Sequence, residues 1–380
     1  MSDLASGLDG ILAAAAAHNA SDVHVTAGLP VRIRVDGDLI DVPEFMDPLS
    51  AAWLETALFE IMSPAQRGEF TSHHEVDFSH EVRSIGRFRV NAFRQLGNVA
   101  AAFRLIEEKA ATLTELGVPA VARDLALKPR GLVLVTGPTG SGKSTTLTAM
   151  VDIINSEVPA HVITIEDPIE FIHHSKVALV HQREIGSDTE SFAEALRRVL
   201  RQDPDVILIG ELRDPESIAI ALSAAETGQL VLATLHTQGA AKSINRIVDA
   251  FPAHQQPQVR SQLGDTLQGV ISQTLLPLAQ SDGRVVATEV LVHTPAVANL
   301  IREGQVQQLY SAMQAGSAVG MHTMDQSLRE LVEEGTVSHQ VARGYLVDPH
   351  TLDGVRVKSK DLDAGSWLEH SGAHTAARGR

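Results

Sequence analysis

Val31, Ile33 and Val35 alternate with Arg32, Arg34 and Asp36, the period-two pattern of a strand with one buried face. Asp36-Gly37-Asp38 then reads as a turn and Leu39-Ile40 as the returning strand, so a hairpin is expected. Just upstream, Ser21 to His24 has two readings, the cap of a first helix or the start of a strand. Trp53, Leu54, Leu58 and Ile61 recur at helical spacing, which predicts helices over 48–68, and 76–106 reads as strands again. Glu107, Glu108 and Lys109 close that stretch, and Gly117-Val118-Pro119 is turn chemistry.

The texture then changes. Leu132–Val135, Val162–Ile165, Val206–Ile209 and Leu230–Ala233 are short β-rich runs, mostly separated by helical patterns. Continuous apolar strands alternating with helices predict a parallel sheet covered by helices. Ser187 with Glu190 reads as a capping box for a helix whose apolar face is Phe192, Ala195, Leu196, Val199 and Leu200. Asp214-Pro215 is expected to open another helix, which Gly228 ends. From Thr351 the chain is polar and reads as a loosely held tail. These boundaries give an N-terminal α+β domain over 1–108, a linker over 109–120, an α/β domain over 121–350 and a tail over 351–380.

Composition narrows the function. The 380 residues carry a formal charge of −16, which argues against a general binder of nucleic acid or anionic membrane. The longest apolar run near the start, Ile11–Ala17, is far below the ~18 residues of a membrane span. Asp3 and Asp9 stand where a secretory signal would be basic. With no cysteine there is no disulfide, no thiolate metal site and no thiol catalysis, which is compatible with a cytosolic address. One stretch departs from the acidic balance: Arg83, Arg87, Arg89, Arg94 and Arg104 lie between Val82 and Ile106 with no acid among them. They form either a solvated strand face or a surface that meets phosphate or an acidic neighbour.

The chemistry concentrates at strand ends. Gly137-Pro138-Thr139-Gly140-Ser141-Gly142-Lys143-Ser144 is a full phosphate-binding loop, preceded by a strand and followed from Thr145 by a helical pattern. Its N–H groups would close around phosphates, Lys143 would meet the β- and γ-phosphates, and the Ser144 hydroxyl would bind Mg²⁺. Gly137 to Thr145 are therefore the candidate ATP-binding residues. The strand Asp205–Ile209 ends at Glu211, a candidate acid at the metal. Ile163-Thr164-Ile165-Glu166 ends in a carboxylate that could act as general base. Thr234-Leu235-His236-Thr237 offers His236 as a γ-phosphate sensor or a structural histidine. The pairs His73-His74 and His173-His174 read as surface residues.

The phosphate loop, Thr164–Phe171, Asp203–Asp214 with Ala225-Glu226-Thr227-Gly228, and Thr234–Thr237 follow in order. Together they resemble the Walker A, Asp box, Walker B and His box of the secretion ATPase superfamily, over residues ~20 to ~345. Within it, the chain looks most like the type IV pilus retraction (twitching motility) ATPases. Ala296–Glu303 stands where that branch carries a motif close to AIRNLIRE, departing at Val297 and Ala298. Gly320–Asp325 also looks like that branch, and assembly ATPases usually carry a tetracysteine zinc site that this chain lacks.

The resemblance implies a PAS-like N-terminal domain, a RecA-like ATPase domain and a homohexameric ring. Each subunit would hydrolyse ATP with Mg²⁺ to drive pilus retraction. Glu166 becomes the general base, Glu211 the Walker B acid supporting Mg²⁺ with Ser144, and His236 a γ-phosphate and interface sensor. Arg89 and Arg104 become candidates for stabilising charge on the transferring phosphoryl group. The implied partners are an inner-membrane pilus platform protein and, indirectly, pilin, at the inner face of the cytoplasmic membrane; no nucleic acid and no integral membrane segment are implied. Gln229 stands where the family commonly has histidine, and a glutamine cannot take a proton. Two other readings stay open: an assembly or secretion ATPase, and a nucleotide-dependent regulatory module with little turnover.

Overall fold

The computed structural model describes residues 7–357 except 36, 84, 107–109 and 282. Asp36 of the expected turn, Glu107–Lys109 and the tail beyond 357 thus lie outside the described residues. The chain packs as two compact units, one of residues 1–111 with 151–210, the other of 112–150 with 211–380.

The first unit begins with α1 (Gly7–Ala17), β1 (Asp22–Thr26), β2 (Arg32–Val35) and β3 (Asp38–Asp41). It continues through α2 (Ala51–Ile61), α3 (Pro64–His73), β4 (Glu75–Val82), β5 (Gly86–Gln95) and β6 (Asn98–Leu105). Ser21–His24 thus leads into a strand, and the expected hairpin is β2–β3. The six strands form an antiparallel sheet in the order β3-β2-β1-β6-β5-β4. Alternation sorts its side chains. Val23, Val25, Phe88, Val90 and Phe103 point into the core, where Leu12 of α1, Leu58 of α2 and Phe70 of α3 meet them. Arg87, Arg89 and Arg104 take the opposite parity and leave the core.

Next in the chain come α4 (Val121–Ala126), β7 (Gly131–Thr136) and α5 (Lys143–Glu157). The chain then supplies β8 (His161–Glu166), β9 (Leu179–Glu184), α6 (Phe192–Val199) and β10 (Val206–Ile209) to the first unit. These three strands are parallel, in the order β10-β8-β9. That this segment groups with the N-terminal sheet has a visible cause: Glu184 at the end of β9 accepts a hydrogen bond from Ser79 of β4 and pairs with Arg87 of β5.

The second unit adds α7 (Pro215–Thr227), β11 (Leu230–Leu235), α8 (Ala240–Asp249), α9 (Gln256–Thr266), β12 (Leu267–Pro277) and β13 (Arg284–Val292). Its remaining helices are α10 (Pro295–Arg302), α11 (Leu309–Ala315), α12 (Met324–Glu333) and α13 (His339–Arg343). Its strands run β13-β12-β7-β11, parallel except for β13. Every residue of β7 and β11 is buried, as the unbroken apolar runs require. Asp214 caps α7 through the Ser217 N–H, and Gly228 closes it at a φ of 125°.

Two expectations shift. The cap of α6 is Ser191, whose Oγ accepts from the Glu194 N–H; Ser187 instead donates to Glu184. The ordered body also runs past Thr351. Asp325, 2% exposed, accepts from the N–H groups of Val347 and Asp348 and from the Thr351 hydroxyl, and Leu352 is buried in a cluster with Leu328 and Val332.

Candidate functional site

β7 ends at Thr136, and the loop 137–142 turns directly into α5, whose first residue is Lys143. Two glycines make that turn possible. Gly137 has a φ of 145°, and a Cβ there would lie 2.2 Å from the Gln273 carbonyl oxygen. Gly142 has a φ of 85°, with the Gln273 side-chain amide 3.2 Å from where its Cβ would be. Gln273 of β12 also fixes the loop by donating to the Ser141 carbonyl at 2.7 Å. Lys143 is buried, and its Nζ donates to the carbonyls of Gly137 and Pro138, both at 3.0 Å. The loop is thus folded back over its own lysine. The Ser141 hydroxyl is buried with no hydrogen-bond partner, an unmet polar group of the kind a phosphate oxygen would satisfy. Ser144 and Thr145 lie exposed on the first turn of α5, where the helix dipole favours an anion.

Three of the expected site residues meet beside the loop. The His236 ring sits just after β11, with Nδ1 3.3 Å from the Thr139 hydroxyl and Nε2 3.2 Å from the Glu211 carboxylate. One neutral tautomer satisfies both contacts: Nε2–H donates to Glu211 and Nδ1 accepts from Thr139. The other oxygen of Glu211 accepts from Arg213, whose Nε is 2.7 Å away. The segment after His236 is pinned as well. Gly239 N–H donates to Ser272 and Ala240 N–H to the buried Glu289, a carboxyl that desolvation holds above the ordinary glutamate range.

Glu166 ends β8 in the first unit. It is half-buried, and Thr164 (2.5 Å) and Gln182 (3.2 Å) both donate to its Oε1. Desolvation pushes its carboxyl above the ordinary range, against the opposing effect of those two bonds. Gln182 also donates to the Phe171 carbonyl and accepts from the His173 N–H, and the Ile185 N–H donates to the Glu166 carbonyl. β9 therefore carries the whole loop behind Glu166.

The arginine-rich strands have acidic neighbours supplied from elsewhere in the chain. Arg87 pairs with Glu184, Arg94 with Glu55, and Arg104 donates to Asp22 at 2.8 Å. Arg89, directly opposite Arg104 in the β5–β6 register, is 4.0 Å from Asp77. The guanidinium groups of Arg89 and Arg104 stay largely exposed.

Other residues resolve more simply. His73 and His74 are exposed, but His173 is not a surface residue: it is 9% exposed and packs on the Phe171 ring at 4.9 Å. Burial lowers its pKa to about 4. Val297 and Ala298, the two departures in the late motif, are buried on the inner face of α10. Asn299, Arg302 and Glu303 are exposed. Gln182, Glu184, Gln273 and Glu289 carry no motif that marks them in the sequence. Each acts by holding a neighbour, and only a contact reveals that.

The profile of a family described as Type II/IV secretion system protein matches residues 2–345. The chain is 52% identical over 335 residues to the type IV pilus retraction ATPase PilT of Pseudomonas aeruginosa, covering 88% of this chain and 96% of that one. It is 52% identical over 313 residues to a twitching motility protein of Neisseria gonorrhoeae, covering 82% and 83% respectively. A crystal structure of the pilus retraction motor PilT with bound ADP superposes with a TM-score of 0.85 at 45% identity, over 91% of this chain and 99% of that one. The mixed α/β architecture, an N-terminal domain followed by an ATPase domain, is shared with that structure.

Proposed function

The chain belongs to the Type II/IV secretion system protein family, and on that premise we propose that it is a motor ATPase that drives type IV pilus retraction. The observation that carries this is the phosphate loop with Lys143 folded into it and His236 joining Thr139 to Glu211. The functions for which the relatives are named, and the ADP in the similar crystal structure, support the same reading.

In this reading ATP phosphates lie along residues 137–145, and Lys143 exchanges its two carbonyl partners for phosphate oxygens. The Ser144 hydroxyl and Glu211 carboxylate are hard oxygen donors of the kind Mg²⁺ takes, with the nucleotide phosphates completing its shell. Bound there, Mg²⁺ would neutralise charge on the phosphates. Among the described residues no group of three or more His, Cys, Asp or Glu side chains is arranged to hold a metal ion. Glu166 takes the proton of the attacking water, a role suited by a carboxyl raised above its ordinary range. Arg89 and Arg104 supply positive charge to the phosphoryl group, and His236 reports the γ-phosphate through Thr139 and Glu211. Six copies form a ring that works on a membrane platform protein and, through it, on pilin. The ring sits at the cytoplasmic face of the membrane in this reading, as work on a membrane platform protein requires; among the described residues no helix is long and apolar enough to cross a membrane.

The test has two arms. Purified protein should hydrolyse ATP with Mg²⁺; binding without turnover would favour a regulatory module. A strain lacking the gene should be over-piliated and unable to twitch, whereas bald cells would indicate assembly.

A further inference from the structure

Glu184 is 5% exposed, and its carboxylate joins two parts of the first unit. Oε1 accepts from Ser79 of β4 at 2.9 Å and from Ser187 at 3.2 Å. Oε2 accepts from the Ile169 N–H at 3.2 Å and from the Arg87 guanidinium of β5 at 3.4 Å. Arg87 also donates to Ser79 at 2.7 Å, so the three side chains close a small ring. Ile169 lies three residues after Glu166, in the segment that leaves β8, and the Ile185 N–H holds the Glu166 carbonyl at 2.9 Å. One buried carboxylate thus touches both the N-terminal sheet and the segment that follows Glu166.

The contact is built to be sensitive. A buried carboxylate needs its cation, and the ion pair to Arg87 is long. Arg87 Nε is buried without a hydrogen-bond partner, so the guanidinium is not fully satisfied where it stands. If β4 and β5 shift, Glu184 loses two donors and must rearrange toward Ile169 and Ser187.

We propose that Ser79, Arg87 and Glu184 are positioning residues that make the placement of Glu166 depend on the N-terminal sheet. This rests on the reading of Glu166 as general base. The three act through that segment and not on the nucleotide itself. Their effect belongs in turnover and not in nucleotide affinity.

The test uses the full-length assembled protein and the variants Ser79→Ala, Arg87→Ala, Glu184→Gln, Arg87→Ala/Glu184→Gln and, in parallel, Glu166→Gln. Steady-state ATPase rates, nucleotide affinity and melting temperature are measured for each. Arg87→Ala and Glu184→Gln should each lower kcat by roughly 5- to 30-fold with KM for ATP within about 2-fold of wild type. The double variant should lose little more than either single one, because one coupling is removed in both. Arg87→Lys should recover part of the loss. Wild-type kcat in the single variants, losses that multiply, or losses matched by equal falls in affinity and melting temperature would overturn the proposal. If Glu184→Gln does not assemble, Ser79→Ala and Arg87→Ala decide by the same criteria. A fully active Glu166→Gln would instead overturn the base assignment, so the two failures are distinguishable.

Discussion

Alanine at Gly137 should damage the loop far more than alanine at Gly140, although both positions belong to the same motif. At Gly140 φ is 76° and nothing lies within 4 Å of where a Cβ would stand, so the substitution meets only left-handed strain, about 1–2 kcal/mol. At Gly137 the strained φ of 145° is joined by a Cβ 2.2 Å from the Gln273 carbonyl oxygen and 2.6 Å from the Ser141 hydroxyl. The carbonyl cannot simply give way, because β12 is paired to β7 up to the Ser272–Thr136 rung immediately before it. Overpacking of this kind adds roughly 1–3 kcal/mol, for a total of about 2–5 kcal/mol. If half of that falls on the nucleotide-competent loop, affinity drops by roughly 5- to 60-fold, at a factor of ten per 1.4 kcal/mol. The assay is a nucleotide titration alongside denaturant unfolding of Gly137→Ala and Gly140→Ala. Equal losses in the two variants, or wild-type affinity in Gly137→Ala, would refute the steric argument.

Glu166→Gln should bind nucleotide normally and lose about 10²- to 10⁴-fold in turnover, read by single-turnover hydrolysis. His236→Ala, which cuts the Thr139 and Glu211 contacts together, should lower kcat by roughly 10- to 100-fold with less change in KM; an unchanged kcat would remove its sensor role. His173, with a folded pKa of about 4 against an ordinary value of 6.5, binds fewer protons folded than unfolded between those limits. Its contribution is therefore present above pH 6.5 and lost as the pH falls towards 4, about 3 kcal/mol in all. His173→Phe should flatten urea-unfolding stability across that window, and an unchanged pH slope would contradict the burial argument.

Periodicity located most elements because the sequence obeys local rules there. The runs 132–135, 206–209 and 230–233 fall within β7, β10 and β11, and Asp214 and Gly228 bound α7 as their chemistry requires. The Ser187–Glu190 spacing has the form of a capping box, but Ser187 donates to the buried Glu184 and Ser191, four residues on, caps α6. His173 misled for a related reason: its polarity says surface, but Phe171 and the Gln182 hydrogen bond draw it inward. The arginine stretch held no acid of its own, yet Asp22, Glu55, Asp77 and Glu184 reach it from other strands and helices. Phosphate-loop chemistry is legible from spacing because the backbone itself performs it. Gln182, Gln273 and Glu289 are illegible because each works through a partner distant in sequence.

The departures from the family pattern can be weighed by where they fall. Gln229 precedes β11, and its carbonyl accepts from the Gly131 N–H at the start of β7, while His236 follows the far end of β11. The intervening six-residue strand separates them by about 20 Å at ~3.3 Å per residue. The Gln229 side chain accepts from the Thr227 hydroxyl. A glutamine there can hold the end of α7 but cannot exchange protons with the phosphate loop of its own subunit. Val297 and Ala298 are likewise packed inside α10 rather than displayed on it. An arginine at 298 would have to leave the helix's buried face, since Ala298 is 2% exposed and its carbonyl lies against Gly264 of α9. Both differences therefore lie away from the contacts among Thr139, Glu211 and His236 and from the seat of Lys143, which are present in this chain. Ala298→Arg should accordingly cost stability before it changes ATP turnover, and a variant of normal melting temperature with altered turnover would show that this helix face reaches the site.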